Sequence, residues 1–111
     1  MDVALLVPAT TLPGLPALRG VLLLPYETVL DFVASLRAIS NPAVILSDGL
    51  PADALEAAAA AVRDHSAPCI EVRVEKWDGQ AYSALSAGCR GVISGFGQRG
   101  LAAAVAALRD S

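Results

Sequence analysis

The feature that most constrains this chain is an alternation: short apolar runs separated by stretches whose apolar residues recur at helical spacing. The runs cover residues 3–7, 21–24, 44–46, 69–74 and 92–94, and each has the length of a strand covered on both faces. Between them, Val29, Leu30, Val33, Leu36 and Ile39 fall on one face of a helix over 26–39. Thr28 and Asp31 resemble a capping box at its start, with Asp in place of Glu, and Asn41-Pro42 stops it. A second helix is expected over 51–65, with Leu55, Ala59 and Val62 toward the sheet, a third over 80–87 ending at Gly88, and a last over 99–109.

Strands alternating with helices predict an α/β domain with a five-stranded, mostly parallel sheet and helices on both faces, a flavodoxin- or CheY-like three-layer sandwich. Pro13, Gly14 and Pro16 break the pattern over 10–19, so the first helix is expected to be short or irregular. A chain of 111 residues has room for one core, and a single domain over 1–111 is expected.

Composition then removes function classes. No apolar run reaches the roughly 18 to 20 residues that span a bilayer, and Met1-Asp2-Val3 lacks the basic region of a signal peptide. A cytoplasmic protein without membrane contact is expected. Net charge is −3 with no cluster of Lys or Arg, so direct nucleic-acid binding is not expected. Cys69 and Cys89 lack the CxxC spacing and His65 is the single histidine. No metal site, Ser-His-Asp or Cys-His arrangement follows from these residues, and two reduced, buried thiols do.

The strand 44–46 delivers Asp48 to its carboxyl end, the edge at which open α/β sheets gather ligands. Further on, Ala84-Leu85-Ser86-Ala87-Gly88-Cys89-Arg90-Gly91-Val92-Ile93-Ser94 reads as a helix stopped by glycine and followed by a strand. Together these segments resemble the CheY-like receiver domains of bacterial response regulators. The resemblance runs from Val21 onward, and it makes Asp48 the equivalent of the phosphoacceptor. It also implies what is missing: the turn Val7-Pro8-Ala9-Thr10 lacks the paired acids that hold magnesium, Arg73 stands at the phosphate-sensing hydroxyl, Gly95 at the lysine and Val92 at the switch aromatic. On this reading the chain is a degenerate receiver that does not accept phosphate. Read without the resemblance, Asp48 is a turn or helix-capping aspartate before Gly49, or a fixed hydrogen-bond anchor.

Three further features bear on binding. Gly95, Gly97, Arg99 and Gly100 form a GxGxxG pattern between strand and helix, where an anion could sit; a dinucleotide site needs an acidic residue about 20 positions later, past Ser111, so a bound dinucleotide is not expected. Trp77, in the turn Trp77-Asp78-Gly79, is a candidate binding aromatic at the same edge as Asp48. Glu71, Arg73, Glu75 and Lys76 give the fourth strand a charged face, so its end is expected to project from the sheet.

The last helix has only Ala, Val and Leu from Leu101 to Leu108, hence no polar face. Leu101, Val105 and Leu108 are therefore candidates for a homodimer face, as the resemblance also implies. The leading expectation is a phosphorylation-independent, receiver-like regulatory and dimerisation domain. It would be neither an enzyme nor a cofactor binder, and would stand at the front of a transcriptional or signalling regulator with a fused or downstream DNA-binding domain. The alternative is a small flavodoxin-like metabolite- or anion-binding protein or enzyme, using the strand carboxyl edge and the loop 95–100.

Overall fold

The computed structural model of the chain describes residues 2–14, 20–47, 50, 54–73, 89, 91–94 and 99–109, with the side chains of 12–14, 92–94 and 99 left aside. Five parallel strands, β1 (Val3–Pro8), β2 (Val21–Tyr26), β3 (Ala43–Leu46), β4 (Cys69–Arg73) and β5 (Gly91–Ser94), form one sheet in the order β2-β1-β3-β4-β5. The described α-helices are α1 (Val29–Arg37), α2 (Leu55–Asp64) and α3 (Arg99–Arg109). A 3-10 helix, Ala9–Gly14, follows β1 where the prolines interrupt the pattern.

Alternation along each strand sorts its side chains into two cores. Ala4, Leu6, Ala43, Ile45 and Cys69 face α1 and α2, where they meet Phe32, Leu36, Ala58, Ala61 and Val62. Val3, Leu5, Val7, Val44, Leu46, Ile70 and Val72 face α3 and meet its Leu101, Ala104, Val105 and Leu108. Every residue of β1 and β3 is buried, which is why these runs are continuously apolar instead of alternating with polar residues.

The elements start and stop for local reasons. Tyr26 is the last residue of β2, buried edge-to-face against Phe32 with ring centroids 5.4 Å apart. The first helix therefore begins at Val29 and not at residue 26. Thr28 takes an extended backbone and its hydroxyl accepts the Asp31 N–H at 3.2 Å, while the Asp31 carboxylate accepts the Glu27 N–H at 3.2 Å. Only the Thr28 half is that of a capping box: the Asp31 carboxylate reaches one residue further back, to the N–H of Glu27 instead of that of the N-cap residue. Leu30, placed by sequence on the apolar face, is 77% exposed instead.

Among the described residues Gly20, with φ +66°, takes the left-handed backbone conformation that favours glycine. A β-carbon there would be strained in that region, and it would sit 2.7 Å from Nη2 of Arg109 at the end of α3.

Two expectations are corrected by this packing. Leu101, Val105 and Leu108 are at most 3% exposed, because the i, i+3, i+4, i+7 stripe of α3 covers the sheet. They belong to the domain's own core and offer no dimer face. The outward residues are Ala102, Ala103, Ala106, Ala107 and Arg109. Nor is Glu71 part of a solvent-facing charged side of β4: it is completely buried, since β4 lies between β3 and β5; Glu75 and Lys76, on which the projecting end was expected, lie outside the described residues. Among the described residues no helix is long and apolar enough to cross a membrane.

Candidate functional site

The carboxyl ends of four strands, with the 3-10 helix after β1, bring the candidate residues together. At the outer end, Pro8, Ala9, Thr10, Tyr26 and Glu27 line a cleft of about 590 Å³ between the ends of β1 and β2, within the size range of small-molecule sites. The Thr11 hydroxyl donates to the Pro8 carbonyl at 2.7 Å and holds the turn above β1. Tyr26 connects this cleft to the middle of the sheet. Its hydroxyl reaches past the end of β1 and donates to the Leu46 carbonyl, the last of β3, at 2.6 Å.

One residue further along β3 begins a buried polar network. Ser47 Oγ donates to Glu71 Oε2 at 2.6 Å, and Arg73 Nε donates to the same oxygen at 2.8 Å. Glu71 and Arg73 are two apart on β4, so alternation puts both on one face, and the register Leu46↔Val72 sets Ser47 beside them. A carboxylate with no exposure is tolerated only when its charge is compensated and its oxygens are bonded. Arg73 supplies the charge and Ser47 a second donor. The Arg73 side chain is 22% exposed, so the network reaches the surface through the guanidinium.

The two cysteines lie on the same face at the other end of β4, where they line a second cavity of about 700 Å³ with Val62, Arg63, His65 and Pro68. Both are free thiols. Burial pushes the Cys69 thiol up to about 11. Burial, then the neighbouring Cys69 and Glu71, push Cys89 up to about 12 against a lowering hydrogen bond to the Glu71 backbone. Thiols so high are protonated at neutral pH and are poor nucleophiles. His65 Nε2 donates to the Asn41 carbonyl at 2.6 Å, and Asn41 Nδ2 to the Asp2 carbonyl at 2.8 Å. His65 thus ties α2 to the amino edge of the sheet.

Of the residues singled out by sequence, Asp48, Trp77, Gly95 and Gly97 lie outside the described residues. Arg99 is the first residue of α3, and Gly100 follows it, buried. Sequence reasoning passed over Ser47, Glu71, Arg73 and Tyr26 as site residues. The available signal was Glu71-Val72-Arg73, a pair of opposite charges at i, i+2 in an otherwise apolar run; the charged face it suggested is instead buried and has to be compensated.

No family model matches the chain, and no curated protein matches it. Among solved structures it is similar to the crystal structure of a 3-dehydroquinate dehydratase-like protein from Bifidobacterium longum. The TM-score is 0.67 at 20% identity, over 98% of this chain and 94% of that one. A likeness at that identity concerns the fold, and it corrects two expectations. The fold matched end to end is that of a dehydratase-like protein, which turns the reading from a receiver-like regulatory domain toward the metabolite-binding or enzymatic alternative. The exclusion of enzymatic activity is withdrawn on the same finding. It does not bear on the receiver resemblance of residues 84–94.

Proposed function

We propose that the chain is a small flavodoxin-like protein of metabolism that binds, and as an enzyme acts on, a small anionic metabolite at the carboxyl edge of its sheet. The observation that carries this reading is the Ser47-Glu71-Arg73 network at the ends of β3 and β4. The order β2-β1-β3-β4-β5 reverses direction between β1 and β3, and open α/β sheets take ligands in the crevice at such a switch point. The network lies on one side of it and the cleft at Pro8, Thr10 and Tyr26 on the other, each about one strand spacing, roughly 5 Å, away.

Chemically, this edge offers a cation anchored from below. Glu71, itself held by the Ser47 hydroxyl, fixes Arg73 Nε, and a guanidinium so oriented suits the planar recognition of a carboxylate. The rest of such a ligand would extend toward the Thr10 hydroxyl and the Glu27 carboxylate. The dehydratase-like neighbour makes a hydroxylated carboxylate, 3-dehydroquinate itself, the first compound to try. A cytoplasmic setting accords with two free, protonated thiols.

The reading is tested by calorimetry and thermal shift with 3-dehydroquinate, simpler hydroxycarboxylates and inorganic phosphate, with mass spectrometry for loss of water from the first. Binding that Arg73→Ala weakens about tenfold or more, in a variant that still folds, is the expected result. Failure of every anion to bind at millimolar concentration, or binding indifferent to Arg73, would remove it.

A further inference from the structure

We propose that two copies of this chain pair through β2, edge to edge and antiparallel, about a two-fold axis at Leu23, joining their sheets into one. Among the described residues β2 ends the sheet, and its outward backbone groups can be read from one bond. The Val3 N–H donates to the Gly20 carbonyl at 3.3 Å, so that carbonyl faces β1. The trans peptide then turns the Val21 N–H outward, and alternation along the strand turns out the peptide groups of Leu23 and Pro25 as well.

The free edge therefore carries two donors, on Val21 and Leu23, and three acceptors, on Val21, Leu23 and Pro25, because proline has no N–H. Among the described residues no turn or loop bond takes up either donor. A two-fold axis at Leu23 sets Leu23 opposite its own copy and Val21 opposite the copy's Pro25, so each donor meets an acceptor and the proline nitrogen costs no buried donor. β2 also lacks the charged residues that protect exposed edges. Its Leu22 and Leu23 are 38% and 44% exposed, one on each face of the sheet.

Charge selects a second copy as the occupant. At the amino end of β2, Arg109 lies against Gly20; at the carboxyl end, Glu27 is exposed. Neither forms an ion pair among the described residues. The axis at Leu23 sets residue 20 of one copy opposite residue 26 of the other, which brings the Arg109 guanidinium of each copy to the Glu27 carboxylate of its mate. A parallel partner strand would set like charges together. Since Glu27 lines the cleft at the ends of β1 and β2, each Arg109 also closes the cleft of the other copy.

The test is sedimentation of the full chain at tens of micromolar, with Leu23→Lys, Arg109→Glu and the exchanged pair Arg109→Glu/Glu27→Arg. The expected results are a dimer for the wild type and a folded monomer for Leu23→Lys. Arg109→Glu should weaken the dimer about tenfold, and the exchanged pair should restore it. Opposed residues of a bonded antiparallel pair have Cα atoms about 5.5 Å apart, within disulfide reach. Oxidised Leu23→Cys should therefore run as a covalent dimer where Leu22→Cys and the wild type do not. A wild-type monomer, a dimer indifferent to Leu23→Lys, or cross-linking at Leu22 but not Leu23 would overturn the proposal.

Discussion

Glu71 is the residue on which the fold and the candidate site both depend. Removing it takes an ion-pair partner from Arg73 and an acceptor from Ser47; removing Arg73 takes a countercharge from a fully buried carboxylate. Breaking such a pair costs about 3 kcal/mol or more, so Glu71→Ala and Arg73→Ala should each lower stability by that order in urea unfolding. The double variant should lose less than the sum, because the two effects describe one interaction. From sequence, Glu71 and Arg73 look like one side of a wet strand, and strand periodicity alone supports that. What overrides it is the position of β4 in the interior of the sheet, a long-range fact that no local pattern contains. Tyr26 was missed for a similar reason: an aromatic residue just before a capping box fits a helix start as well as a strand end.

At the scale of elements, the strands and α3 were legible because periodicity reports burial directly: the observed α3, Arg99–Arg109, has the predicted bounds. The irregular segment after β1 was legible too, since proline placement acts locally; it is the 3-10 helix Ala9–Gly14 as far as residue 14. The orientation of α3 was not. With alanine on one face and leucine and valine on the other, composition leaves open which face meets the sheet and which meets a partner. The packing decides, and it makes a sharp contrast. Leu108→Glu should abolish the native circular dichroism, because it puts a carboxylate among Val3, Leu5 and Val105. Ala103→Glu, on the exposed side, should change the urea midpoint by no more than about 0.5 kcal/mol.

For the whole molecule, the buried Cys69 and the partly buried Cys89 thiol make stability fall at high pH. Both are raised from 9.0, to about 11 for Cys69 and about 12 for Cys89, so the folded chain holds those protons more tightly than the unfolded one. Their contribution is fully present below pH 9 and is lost as pH climbs through 9 toward 11 and 12, on the order of 2 to 4 kcal/mol per thiol. Denaturant titrations at pH 8 and pH 10.5 should show the drop, and Cys69→Ala/Cys89→Ala should flatten it while leaving that of other groups. The Ser47-Glu71-Arg73 network has a consequence for how such a molecule diversifies. Residues at strand ends ordinarily change one at a time, since the core below is indifferent to them. Here the outermost member cannot drift alone: any lineage that replaces Arg73 first crosses a valley of weakened folding, and the edge is inherited as a block of three.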